Sequence, residues 1–148
     1  MASMSETNRR EISNNKPLAG EVALITGGTR GIGRAIAIKL ASIGSAVAIC
    51  GRDEAKLAVT EREILALGVR TIALRADVTQ LNDVTKLVEK VESTLGPISI
   101  LVNNAGMGSF GPVHEKTDAE WDQLMDTNVK SVFLLSRAVI PGIVGDRE

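Results

Sequence analysis

Residues 26–33 read TGGTRGIG, and their glycines stand at 27, 31 and 33 between an aliphatic run and a stretch with helical spacing. Such a loop suits phosphate binding. Gly27 permits a tight turn, Gly31 lets the backbone approach a pyrophosphate, and Gly33 lets the following helix pack closely, with its N-terminus aimed at the anion. The spacing is G-x-x-x-G-x-G, which differs from the G-x-G-x-x-G of the generic dinucleotide fingerprint. Taken alone, the three glycines would also suit a turn that merely needs glycine.

Other reactive residue types are sparse. The chain has one cysteine, one histidine and no tyrosine. Cys50 ends an apolar run and reads as core. His114 sits in a loop, where a lone histidine is more often structural or solvated than a ligand to substrate. No Cys/His cluster has metal-ligand spacing, so no metal site is expected.

The elements that must position the glycine loop show as two alternating textures. Short aliphatic runs, VALIT (22–26), SAVAIC (45–50), VRTIAL (69–74) and ISILV (98–102), are each followed by a longer segment of helical period. Ile32, Ile36, Leu40 and Ile43 fall on one face of the first such segment. Val84, Leu87, Val88, Val91 and Leu95 do so in the third, and Gly44, Gly68 and Gly96 stand where helices should stop. Runs that are apolar throughout fit strands buried on both faces, and strand–helix repetition implies a parallel sheet covered by helices on both sides. A last segment is expected to form one long helix from a Thr117 or Asp118 cap to Pro141, with Trp121, Leu124, Met125, Phe133 and Leu135 as packing residues.

Over residues 20 to 140 the sequence resembles the short-chain dehydrogenase/reductase family, within it the 3-oxoacyl-acyl-carrier-protein reductase type. The resemblance rests on TGGTRGIG, ADV at 76–78, NNAG at 103–106 and TNVKSVF at 127–133, in that order. It implies an α/β, Rossmann-type, doubly wound parallel sheet of order 3-2-1-4, with a dinucleotide in the crevice between strands one and four. Gly27, Thr29, Arg30, Gly31, Ile32 and Gly33 would line one wall, and Asn103, Ala105 and Gly106 the other. Asp77 would accept from the adenine amine, and Val78 would cover the ring.

The end of the second strand bears on which dinucleotide. An acid there would bind the adenosine ribose diol and repel a 2′-phosphate, but Gly51 stands in that place, followed by Arg52, and Arg30 supplies a second cation. NADP is therefore expected ahead of NAD. Asp53, twenty positions after Gly33, could pass for a ribose acid; it reads instead as the cap of the next helix.

The resemblance also implies hydride exchange with a carbonyl or alcohol substrate, such as a 3-oxoacyl thioester, with a lysine-assisted tyrosine as proton donor and a serine beside it. Of that catalytic group only Asn128 can be matched. Ser131 and Ser136 share its segment and read as ordinary helix residues. The expectation is a domain at 20–148 that is truncated after the fourth strand and the following helix, preceded by a flexible tail at 1–19. Its fourth strand would be an open edge, and its last helix would expose a face for homo- or hetero-oligomers. Three readings stay open: the cofactor half of a reductase, a non-catalytic NADP-binding or dimerisation module, and an inactive fragment.

The totals bound the partners. Of 148 residues 44% are hydrophobic, enough for one domain with a core, and 17 Lys and Arg against 18 Asp and Glu leave no basic field for nucleic acid. No apolar run is read as a membrane span or a secretory signal. With the single cysteine, this favours a cytoplasmic setting.

Overall fold

The computed structural model describes residues 15–145. Four strands and three α-helices alternate: β1 (Val22–Thr26), α1 (Gly31–Ser42), β2 (Ala46–Gly51), α2 (Glu54–Leu65), β3 (Thr71–Arg75), α3 (Leu81–Leu95) and β4 (Ile100–Val102). A 3₁₀ turn (Val113–Glu115), α4 (Asp118–Met125), a π turn (Asp126–Lys130) and α5 (Ser131–Gly145) follow. The fold is α/β, with one parallel sheet of order β3-β2-β1-β4. That is the order expected from the sequence. Of the expected N-terminal tail, residues 1–14 lie outside the described residues; Leu18 N–H donates to Ile43 O at 3.0 Å.

The side-chain alternation of the strands sorts the core into two halves. Val22, Leu24, Ala48 and Cys50 face α3 and α5, packing with Val84, Leu87, Val91, Leu135 and Val139. Ala23, Ile25, Val47 and Ile49 face α1 and α2, packing with Ala37, Ala41, Leu57 and Ile64. Both strand faces are therefore buried, which is why β1 and β2 read as continuous apolar runs. Each fully buried aliphatic side chain contributes roughly 1.5–3 kcal/mol.

Helix α3 buries the five apolar residues its spacing predicts, Val84, Leu87, Val88, Val91 and Leu95. Helix α1 does not. Its buried stripe is Gly33, Ala37 and Ala41, whereas Ile32 is 74% exposed. Three small residues let the helix axis come close to the sheet, and Ile36 and Leu40 fill the flanks, half-buried. Apolar periodicity located the isoleucine row; the close approach selected the small-residue row beside it.

Asp53 caps α2, its carboxylate accepting from Lys56 N–H at 3.1 Å, as expected. Thr117 caps α4 through a capping box: its hydroxyl accepts from Glu120 N–H at 3.2 Å and the Glu120 carboxylate accepts from Thr117 N–H at 2.9 Å. The segment expected as one helix to Pro141 is interrupted by the π turn, and it runs on through Pro141 to Gly145. Of its expected packing residues Leu135 is buried and Leu124 half-buried. Trp121 and Phe133 are 62% and 56% exposed, and Met125 is exposed as well.

Taken end to end, Asp118–Gly145 is long and apolar enough to cross a membrane by length and composition, contrary to the sequence-based expectation. Ser131, Leu134, Leu135 and Val139 nevertheless bury one stripe of it against the sheet and α3, the place of a covering layer helix. On the opposite side of the sheet, the outward N–H of Ala73 in β3 donates to the Glu61 carboxylate at 3.2 Å.

Candidate dinucleotide site

The carboxyl ends of all four strands point the same way, and every residue expected at the dinucleotide site follows one of those ends or packs on a loop that does. In an open parallel sheet a ligand binds outside those ends where the strand order reverses, between β1 and β4 here.

The first wall is the turn from β1 into α1. Gly27 has φ +63° and Gly31 φ +52°, so both hold a backbone conformation that side chains disfavour. Gly27 N–H donates to Cys50 O at 3.0 Å, which ties the turn back to β2. A Cβ on Gly31 would meet nothing within 4 Å; the space above it is open. Helix α1 begins there with Arg30 at the N-cap position, no side-chain cap and no acid in its first turn. Among the described residues, the N–H groups of residues 31–33 meet no backbone acceptor. Unpaired N–H groups and the positive end of the helix dipole converge there with an arginine beside them, an arrangement that fits a phosphate dianion.

The second wall is the start of the loop after β4, and one side chain holds it to the first. Thr26 Oγ1 accepts from Asn104 N–H at 3.0 Å and from Ala105 N–H at 2.9 Å. Asn104 Nδ2 in turn donates to Thr26 O at 3.1 Å and Gly27 O at 3.0 Å. The sequence signal for Asn104 is an Asn doublet directly after an apolar strand, facing a glycine loop. Gly28 is a further glycine of the turn at which a Cβ would collide with Ile49. Asn103 is exposed, and its Nδ2 donates to Ser136 Oγ at 3.4 Å, so Ser136 is more than an ordinary helix residue.

Asn128 lies in the π turn and grips the same loop further on. Its Oδ1 accepts from Met107 N–H and its Nδ2 donates to Met107 O, both at 2.8 Å. A Cβ on Gly106 would stand 3.1 Å from Asn128 Oδ1, so a side chain there would press the two segments apart by a few tenths of an ångström. A π turn widens the helix locally and turns Asn128 toward the loop. Ser131 Oγ is spent on Thr127 O inside the helix.

The flank of the crevice is formed by the loops after β2 and β3. Asp77 Oδ1 accepts from the Thr79 hydroxyl at 2.7 Å and from Thr79 N–H at 3.0 Å, leaving Oδ2 free for another donor among the described residues. The Thr79 hydroxyl, the Thr79 amide and the charge of Arg52 hold the Asp77 carboxyl below the usual range. Val78 is buried in the core cluster. Arg52 is exposed beyond β2. Gly51 lies under Thr29, whose Cγ2 would be 3.4 Å from a Cβ there.

His114 is exposed on the 3₁₀ turn, its Nε2 3.7 Å from the Glu115 carboxylate. No group of His, Cys, Asp and Glu residues that could hold a metal occurs among the described residues.

The family model described as short chain dehydrogenase matches residues 21–148. The chain is 39% identical over 127 residues to the 3-oxoacyl-[acyl-carrier-protein] reductase of Staphylococcus epidermidis, covering 84% of this chain and 52% of that protein. The crystal structure of a metagenomic short-chain oxidoreductase in complex with NADP is similar with a TM-score of 0.84 and 41% identity, over 88% of this chain and 60% of that one. A short chain dehydrogenase/reductase from Burkholderia phymatum in complex with NAD is similar with a TM-score of 0.85 and 34% identity, over 88% and 47%. The chain spans about half the length of the curated relatives it matches.

Proposed function

The chain belongs to the short-chain dehydrogenase family, and from that premise we propose that it is the NADP(H)-binding part of an oxidoreductase acting on a carbonyl or alcohol substrate. The observation that carries the reading is the start of α1: N–H groups 31–33 unpaired among the described residues, no acid, Arg30 at the cap position and open space over Gly31. The pyrophosphate would lie on those N–H groups, beside the Thr29 hydroxyl.

Arg30 and Arg52 would hold the 2′-phosphate, and Gly51 puts no carboxylate against it. This favours NADP over NAD, although relatives are known with each. Asp77 Oδ2 would accept from the adenine amine, with Val78 beneath the ring. Asn103, Ala105 and Gly106 would border the nicotinamide ribose. The nicotinamide, when bound, supplies or takes the hydride.

Asn128 would act as a brace with reserve capacity. Its bonds to Met107 use one of its two amide N–H groups and one acceptor site of Oδ1, leaving one of each for a water in a proton path. These 148 residues contain no tyrosine, so the proton donor that the family resemblance implies is not among them. The proposed reduction therefore belongs to a polypeptide that supplies one. A 3-oxoacyl thioester is the substrate class favoured by likeness to the Staphylococcus epidermidis reductase.

Thermal unfolding followed by Trp121 fluorescence tests the cofactor reading. A transition that rises with NADPH, and less with NADH, is expected; a tenfold affinity difference separates the two by about 1.4 kcal/mol at saturating ligand. A transition that neither dinucleotide moves would overturn it.

A further inference from the structure

The loop that leaves β4 is fastened at three successive points, and the last of them has no counterpart in the cofactor reading. Asn104 and Ala105 are tied to Thr26, and Met107 is tied to Asn128. Beyond Met107, residues 108–110 donate and accept no backbone–backbone hydrogen bond among the described residues. Their hold is the ammonium of Lys116.

Lys116 Nζ donates to Ser109 Oγ at 2.7 Å, to Phe110 O and to the Glu120 carboxylate at 3.4 Å. Glu120 is itself fixed, because its second carboxylate oxygen accepts from Thr117 N–H at 2.9 Å and Thr117 Oγ1 at 3.1 Å at the start of α4. Gly111 has φ +115°, and a Cβ there would stand 3.4 Å from Lys116 Nζ, so the chain bends around the ammonium. The Lys116 side chain is only 22% exposed. A lysine immobilised this fully has given up most of its rotamer freedom, and its three acceptors satisfy the three ammonium protons.

This brace holds apolar groups out in the open. Phe110 is 96% exposed and Val113 87%. The course of the loop is thus set by the Lys116 ammonium on Ser109 Oγ and Phe110 O and not by burial of its apolar side chains. The loop rims the crevice on the β4 side, away from Arg52 and Asp77, which flank the adenine side after β2 and β3. We propose that Lys116 is a positioning residue for the nicotinamide half of the dinucleotide, setting the 107–110 loop through Ser109 and the Phe110 carbonyl. The inference rests on the dinucleotide reading above and adds to it a residue that touches neither phosphate nor adenine.

The test compares two ligands on the purified protein and its Lys116→Met and Lys116→Arg variants. NADPH, followed by the emission of its reduced nicotinamide, reports both halves; adenosine 2′,5′-bisphosphate reports the adenine half alone. For Lys116→Met the NADPH Kd should weaken by roughly tenfold, as for loss of a charge-assisted brace, while the bisphosphate Kd stays within about twofold. Lys116→Arg, which keeps the charge and donors, should recover most of the loss. Equal weakening of both ligands, or none, would overturn the proposal while leaving the dinucleotide reading standing. A parent protein that binds neither ligand would overturn both.

Discussion

The side-chain amide of Asn104 occupies the space that a Cβ on Gly33 would need, with Gly27 O crowding the same point. The third glycine of the loop is thus required by a side chain reaching across from β4, as well as by packing between helix and sheet. The two walls of the crevice are fitted to each other through this one contact, and Thr26 closes it from below.

Gly33 and Gly31 should therefore respond differently to alanine. Gly33→Ala would displace Asn104 and lower the unfolding midpoint by the equivalent of about 1–3 kcal/mol, in the range of overpacked sites. Gly31→Ala meets no atom and costs only the strain of φ +52°, about 1 kcal/mol, yet it fills the open space above the helix start. Its main effect should be loss of NADPH binding with the fold kept. Equilibrium denaturation and NADPH titration of both variants check the contrast.

Thr26→Val keeps shape and removes the oxygen that accepts two N–H groups. Leaving Asn104 and Ala105 N–H unpaired in a mostly buried place should cost about 1–3 kcal/mol. In native-state hydrogen exchange those two amides should lose protection while the centre of β2 keeps it.

Cofactor preference should reside at residues 51 and 52. Arg52→Ala is expected to weaken NADPH by roughly ten- to a hundredfold, the worth of a hydrogen bond to a charged group, and to leave NADH within about threefold. Gly51→Asp is sterically admissible, since its Cβ would make ordinary contact with Thr29, and should turn the preference toward NADH. Competitive titration with both dinucleotides reads this directly.

Cys50 should be silent toward thiol reagents in the folded protein. Burial raises its pKa from 9.0 to about 12, and it has no exposed surface. A thiol harder to ionise when folded stabilises the fold below the unfolded value and loses that contribution as pH rises through the folded one. Stability should thus decline between pH 9 and about 12 more steeply than in Cys50→Ala. Alkylation at pH 8 should proceed at the rate of unfolding.

Strands β1 and β2 are legible because burial on both faces leaves an unmistakable apolar run, and α3 because its five apolar residues are the ones it buries. Helix α1 was misread in detail, since hydrophobicity ranks Ile32 above Gly33 while close packing ranks them the other way. The π turn leaves no mark on apolar periodicity; only the pairing of Asn128 with Met107 reveals it. The roles of Asn104 and Lys116 are harder to read for a related reason, although the Asn doublet after β4 marks the place of the first. Each acts on backbone groups far along the chain, and a lone Asn or Lys carries no sign of which carbonyl it will meet. Trp121 and Phe133 read as packing residues because large apolar side chains are usually buried, a rule that runs in one direction only.

With the outward N–H of Ala73 already claimed by Glu61, β3 has one of its outward donors occupied, whereas β4 has β1 as its sole strand partner among the described residues. A strand added beside β4 would stand on the crevice side of the sheet, so that extending the sheet there would also add to the wall of the site.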